Sequence, residues 1–286
     1  MSPNMPLAHL PDILLEPLVR AALVEDLGRA ADVTTEAVVA EGQVGRAALV
    51  ARQAGVVAGL DLARLAFRAL DTVTRFDVAR PDGSEVKPAE VIATVEGSAR
   101  GLLTAERTAL NFLCHLSGIA TATHILVKAA RPHKARICCT RKTTPGLRAV
   151  EKYAVRAGGG VNHRFGLDDA VLIKDNHIAM AGGVRIAVER ARAAVGHLVK
   201  IELEVDTLDQ LREALELPID AVLLDNMEPK TLAEAVKLVG GRFITEASGG
   251  ITPATVPSIA ATGVDIVSAG YLTHSAPALD IGLDFQ

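Results

Sequence analysis

From about residue 136 onward one pattern repeats, a short aliphatic run followed by an amphipathic stretch. The runs are Arg136–Thr140, Ala170–Lys174, Val199–Val205, Ala221–Asp225, Phe243–Ala247 and Asp265–Ala269. Helical patterns cover Arg148–Ala157, Val184–Val195, Leu208–Leu215, Lys230–Val239 and Ala254–Ala261. Their punctuation has a mechanism. Thr207 with Gln210 fits a capping box, Pro229 suits a first turn, and Gly240-Gly241 supplies a left-handed stop. Strands alternating with helices predict a parallel sheet with right-handed crossovers. No glycine-rich dinucleotide turn follows the first run, which favours a barrel over a doubly wound sheet. Six strands fall short of eight, so the expected fold is α/β, with an incomplete relative of the (β/α)8 barrel.

Residues 1 to about 115 follow no such rhythm. Leu14–Asp26 and Leu60–Leu70 read as helices and Ala47–Val57 as a strand, and residues 83–97 alternate like a small β-unit with a turn at each end. That β-unit faintly resembles a lipoyl carrier sandwich, but no lysine sits at a suitable hairpin tip, so it reads as scaffold. A long helix is expected from Thr104 towards Ala130, with Thr104 as its cap.

In barrels of this kind chemistry collects where strands end and βα loops begin. The first run ends in Thr140-Arg141-Lys142 and the second in Lys174. The third carries Glu202 and Glu204 on the face opposite Ile201, Leu203 and Val205, so both glutamates should face the interior. The fourth ends in Asp225-Asn226, the fifth in EASGG (246–250) and the sixth in Ser268-Ala269-Gly270. Between Arg131 and Lys174 there are ten Lys/Arg against three Asp/Glu, while the whole chain carries −4. A basic island in an acidic chain predicts an anion site. Ser248-Gly249-Gly250, ahead of a helix expected near Thr252-Pro253, suits a phosphate, and so does the turn after Ser268. Glu204 and Asp225 have two compatible readings, as ion-pair partners of Lys142 and Lys174 or as holders of Mg²⁺ against a polyphosphate. Arg148, Lys152 and Arg156 recur every four residues, the spacing of a solvated helix face.

Bulk properties exclude several classes. The acidic balance argues against nucleic acid, and the few aromatics argue against base stacking. No apolar run approaches the roughly 18 residues of a membrane span, and the N-terminus lacks the pattern of a signal peptide. Cys114, Cys138 and Cys139 form no CxxC pair, so buried thiols and a reducing, cytoplasmic setting are expected.

Five long motifs carry a resemblance: TAERTALNFL (104–113), TRKTTPGLR (140–148), GGGVNHR (158–164), LIKDNH (172–177) and EASGG (246–250). Together with the closing SAGYLTHSAPALDIGLDF (268–285), they resemble the quinolinate phosphoribosyltransferase family over nearly the whole chain. Cys114-His115 departs from the expected pattern, away from the charged loops. The resemblance implies an N-terminal α/β sandwich (1–115) and a six- or seven-stranded α/β barrel (116–271), with the tail 272–286 packed back on the first domain. It implies phosphoribosyl transfer from phosphoribosyl pyrophosphate to quinolinate, with loss of CO2 and with Mg²⁺. Arg141, His163 and Arg164 would bind the quinolinate carboxylates, joined by Arg107 from the other subunit of a homodimer. Lys142 and Lys174 would lie between the two substrates. Glu204 and Asp225 would face the ribose and the metal. Ser248, Gly249, Gly250, Ser268 and Gly270 would hold the 5′-phosphate.

Three rivals share the fold: a nicotinate phosphoribosyltransferase, the paralogue linked to molybdenum uptake, and an aldolase-type barrel with Lys174 as Schiff-base lysine. A non-catalytic sensor of a phosphorylated metabolite is the rival from another class.

Overall fold

The computed structural model describes residues 7–286. The chain forms two compact units. The first comprises the chain up to His124, Thr144–Gly159 and Ser275–Gln286, and the second Ile125–Thr143 and Gly160–His274.

The first unit contains strands β1 (Val44–Ala51), β2 (Gly55–Val56), β3 (Arg75–Val78), β4 (Glu85–Val86) and β5 (Val91–Ser98). β1 pairs antiparallel with β5, and β5 with β3. The final strand, Ile281–Phe285, pairs with the free edge of β1, Leu49 lying opposite Leu283. β2 and β4 form a separate two-stranded ribbon. The run expected as one strand, 47–57, is therefore two, because the chain bends between Ala51 and Gly55. The core of this unit is aliphatic, with Leu49, Ile92, Leu113 and Ile281 packed together.

The long helix runs Ala99–Ala130 and begins five residues earlier than expected. Ala99 N–H is already satisfied by the Gln43 carbonyl at 2.8 Å. Thr104 is thus inside the helix and caps nothing; its hydroxyl donates to Asp32 at 3.1 Å. By length and composition this helix would be able to cross a membrane, which corrects the expectation that no segment approaches that limit. Its Leu102, Leu113, Leu116, Ile119 and Leu126 are fully buried, as a core helix requires.

Helix Arg148–Ala157 has the predicted bounds but not the predicted faces. Lys152 is buried beside the fully buried Glu151, while Arg156 is exposed. A four-residue period marks a face without saying which way it points. Here the preceding residue decides, since Glu151 accepts from the Thr144 N–H at 3.1 Å and contacts His115 Nε2 at 2.9 Å.

The second unit holds β6 (Arg136–Cys138), β7 (Val171–Ile173), β8 (Ile201–Val205), β9 (Ala221–Asp225), β10 (Ile244–Ser248) and β11 (Ile266–Ser268). They form one parallel sheet in the order β6-β11-β10-β9-β8-β7. The outer edge of β6 is taken by one residue, Val161, in a parallel bridge to Cys138, with its N–H donating to the Ile137 carbonyl at 2.8 Å. The architecture is an α/β barrel of six strands plus a single residue in a seventh position. Ile201, Leu203 and Val205, the set expected opposite Glu202 and Glu204, are fully buried, and so are Val222 and Leu224 on the neighbouring strand.

Differences from the sequence reading lie in short helices. Asp175–Ala181 and Tyr271–His274 were not foreseen, and the segment expected as Ala254–Ala261 is helical only over Val256–Ala260. None of the three cysteines is in a disulfide, and Cys138 and Cys139 are buried as expected.

Gly118, inside the long helix, faces the backbone of Pro277 and Ala278, and a Cβ there would overlap the Pro277 carbonyl. Backbone atoms cannot yield as a flexible side chain does. Gly118→Ala should therefore cost about 1–3 kcal/mol. Denaturant unfolding would show it, with faster amide exchange in Ile281–Phe285.

Candidate active site

Parallel strands start at one end of the sheet and finish at the other, so residues far apart in sequence meet at one rim. Thr140, Arg141 and Lys142 follow β6, and Lys174 follows β7. Glu204 lies near the end of β8, Asp225 ends β9, Ser248 ends β10 and Ser268 ends β11. His163 and Arg164 follow the Val161 bridge. All of these, with Gly249, Gly250 and Gly270, line one cavity of about 770 Å³. Arg107 and Glu202 are not among the residues lining it; Arg107 is exposed on helix Ala99–Ala130, and Glu202 is buried in β8.

One side of the cavity is cationic. The Arg164 guanidinium donates to the Ala170 carbonyl at 2.9 Å. Burial lowers its proton affinity, the neighbouring Arg141 lowers it further, and Asp169 and Glu202 oppose that shift. Arg141 Nε and Arg164 Nε are both buried without a hydrogen-bond partner among the described residues. Two adjacent guanidiniums are chemistry that suits a planar, multiply charged anion.

The lysines are placed differently. Lys174 is half exposed, not buried as its place at the end of an apolar strand suggested, and its ammonium lies 2.9 Å from Glu204. Its backbone N–H donates to His177 Nδ1 at 2.9 Å, which opens helix Asp175–Ala181. Lys142 is exposed, and its carbonyl accepts from the Thr273 hydroxyl at 2.7 Å. Its side chain passes over Gly270, where a Cβ would come within 2.8 Å of the lysine's Cδ. Gly270 thus serves first to give Lys142 room.

The third side is built from glycine. Gly249 (φ +91°) and Gly250 (φ +62°) adopt left-handed conformations, and a Cβ on Gly249 would overlap the Asn226 side chain. Asn226, itself left-handed, donates its backbone N–H to the Ser248 carbonyl at 2.9 Å and its amide to Asp225 at 2.6 Å. The helix dipole expected behind this loop is missing. Thr252 and Thr255 exchange hydrogen bonds in a turn, and only a five-residue helix follows. In place of a helix dipole the loop offers the backbone N–H groups of its glycines and the Ser248 hydroxyl.

Glu204 and Asp225 both line the cavity from adjacent strands. Two carboxylates facing an open cavity suit Mg²⁺, a hard cation that keeps several waters. The donor chemistry therefore fits the ion.

Two residues without an assigned role prove central. Glu202 and Glu246 point into the barrel and converge on His163, whose Nε2 lies 2.9 Å from Glu202 and 3.6 Å from Glu246. Burial and the nearby Glu202 push the Glu246 carboxyl up to about 7. The available signal was a glutamate in the middle of a strand, ITEAS (244–248), whose flanking Thr245 and Ala247 are buried.

The family models for the quinolinate phosphoribosyl transferase N-terminal domain (residues 32–117) and C-terminal domain (residues 119–284) both match. The chain belongs to the quinolinate phosphoribosyltransferase family. It is 47% identical over 274 residues to nicotinate-nucleotide pyrophosphorylase (carboxylating) of Mycobacterium leprae, covering 93% of this chain and 95% of that one. It is 41% identical over 300 residues to quinolinate phosphoribosyltransferase (decarboxylating) 1b of Nicotiana tabacum, covering 97% and 84%. The nicotinate-nucleotide pyrophosphorylase structure from Francisella tularensis superposes with a TM-score of 0.93 at 38% identity, covering 99% of this chain and 100% of that one.

The raised carboxyl has a thermodynamic signature. Folded Glu246 holds its proton more tightly than it would in the unfolded chain, so between about 4.5 and about 7 the native state binds more proton. Stability from this group is full at low pH and is lost as pH rises through that window. Glu246→Gln should remove the loss, on the order of 1–3 kcal/mol. Urea titrations of both proteins from pH 4.5 to 8 would test this; parallel stability curves would exclude the raised carboxyl.

Proposed function

We propose that the chain transfers a phosphoribosyl group from phosphoribosyl pyrophosphate to quinolinate. The products are nicotinate mononucleotide, pyrophosphate and CO2, in NAD biosynthesis. The observation that carries this reading is the pairing of Arg141 and Arg164, each with a buried donor lacking a hydrogen-bond partner among the described residues, in the same cavity as a glycine loop. One guanidinium would suffice for nicotinate; two suit the adjacent carboxylates of quinolinate.

In this reading Arg141 and Arg164 bind the dicarboxylate, with His163 beside them. Backbone N–H groups of Gly249, Gly250 and Gly270, with the Ser248 and Ser268 hydroxyls, hold the 5′-phosphate. Bond breaking between C1 and the pyrophosphate oxygen develops positive charge on the ribose, which Glu204 and Asp225 stabilise. Lys142 and Lys174 offset the charge of the departing pyrophosphate. The pyridine nitrogen lone pair forms the new bond to C1. The ring is then a pyridinium, which accepts the electron pair released when the adjacent C–CO2 bond breaks, and a proton replaces the lost carboxylate. Glu204 and Asp225 would hold Mg²⁺, whose chemistry when bound is to neutralise charge on the pyrophosphate. The protein's contribution is chiefly positioning and neutralisation.

A homodimer with a shared site completes the reading. Arg107 is exposed and free to serve a partner's cavity as a further cation for the dicarboxylate. A cytoplasmic setting agrees with three cysteines outside any disulfide. Neither nucleic acid nor membrane enters the reaction.

The decisive assay follows CO2 release from carboxyl-labelled quinolinate with phosphoribosyl pyrophosphate, with and without Mg²⁺. Release should require both substrates and fall when Mg²⁺ is chelated; turnover of nicotinate without quinolinate turnover would replace this reading. Arg141→Ala should lower kcat/KM for quinolinate by about 10²-fold or more with the fold intact. Mixing Arg107→Ala with Lys142→Ala subunits should restore partial activity, and no recovery in verified heterodimers would exclude the shared site.

A further inference from the structure

Both ring nitrogens of His163 are engaged inside the protein. Nδ1 accepts the backbone N–H of Arg164 at 2.8 Å. A nitrogen that accepts carries no proton, so in this neutral ring the proton is on Nε2, which faces Glu202 at 2.9 Å. Glu246 closes the same pocket at 3.6 Å, with one oxygen buried and unpartnered among the described residues. The imidazole is therefore held edge-on between its own loop and two carboxylates on β8 and β10.

We infer that Glu202 and Glu246 are positioning residues for the anion clamp, holding His163 as a strut that fixes the Gly160–Arg164 turn and aims Arg164 into the cavity. The inference rests on the reading of Arg141 and Arg164 as the quinolinate clamp.

Three observations support it. The turn belongs to no strand. Near β6 it is tied by Val161, by the Cys139 N–H to the Val161 carbonyl at 3.2 Å, and by Cys139 Sγ to Asn162 at 3.3 Å. The His163 contacts tie it instead to strands on the far side of β11, and the backbone N–H that His163 accepts is that of Arg164 itself. Second, Glu202 is one of the charges that sustain Arg164 as a cation against burial and Arg141. Third, Glu202 and Glu246 sit inside a barrel whose other strand residues are mainly aliphatic. Apolar groups of similar volume would fill that space at lower desolvation cost. Glu246 reaches the cavity wall beside His163, whereas Glu202 does not line the cavity; from behind the imidazole Glu202 orients the receptor without meeting the incoming dianion.

The test is a KM comparison on the full-length enzyme. Glu202→Ala should raise KM for quinolinate about tenfold, with KM for phosphoribosyl pyrophosphate within about twofold. Glu202→Gln, whose amide oxygen still accepts the Nε2 proton, should recover most of that loss. If Glu202→Ala fails to fold by thermal melting, Glu202→Met keeps the bulk and removes the acceptor. Glu246→Gln should change quinolinate KM less than Glu246→Ala does. Equal rises in both KM values, no rise, or a Gln variant no better than Ala would each overturn the strut. So would elemental analysis finding a metal ion that Glu246→Ala releases. Arg164→Ala separates the two levels: unchanged quinolinate KM there sinks the clamp itself, whereas a rise there with none in Glu202→Ala sinks only the strut.

Discussion

Parallel strand pairing is the constraint on which the rest depends. The register from β6 through β11, β10, β9 and β8 to β7 brings six strand ends to one rim. Each strand then needs to contribute only one or two polar residues at its C-terminal end. The alternative, a site collected from long loops, would have to meet the ordering entropy of every segment. Here hydrogen bonds of the sheet do that work, and the charged residues sit a step or two beyond buried aliphatic positions such as Leu203 and Leu224.

Charge is arranged in layers within this frame. The arginines and lysines would repel one another if left alone; burial first, and Arg141 after it, depresses the basicity of Arg164. Glu204 beside Lys174 and Glu202 behind His163 offset that repulsion without closing the cavity. The carboxylates thus keep a cationic pocket foldable while leaving guanidinium donors unspent.

Much of this was legible in the chain. Strand ends were readable because a βα rhythm fixes where a strand must stop, and Arg141, Lys174, Glu204 and Asp225 fall at those stops. Glu202 was placed on the correct face by alternation, yet alternation cannot show that His163 lies across the barrel from it. That contact spans strands whose order is set by topology. Lys152 was assigned to solvent because its period marks a face, not a direction. The dipole behind Ser248–Gly250 was misplaced because Thr252 and Thr255 bond each other and delay the helix. Thr104 looked like a cap because only its own sequence was considered, whereas the Gln43 carbonyl lets the helix start at Ala99.

The closing strand, Ile281–Phe285, lies against β1, which spans residues 44–51. The first sheet to begin emerging from a ribosome is therefore among the last to be finished. Until Ile281–Phe285 has been made, β1 presents an open edge, a surface on which nascent chains pair wrongly. The barrel strands lie wholly within the intervening chain, so they can assemble while that edge waits. The barrel sheet can thus be completed before the first one, and loss of Ile281–Phe285 would uncover the edge of the strand that is made first.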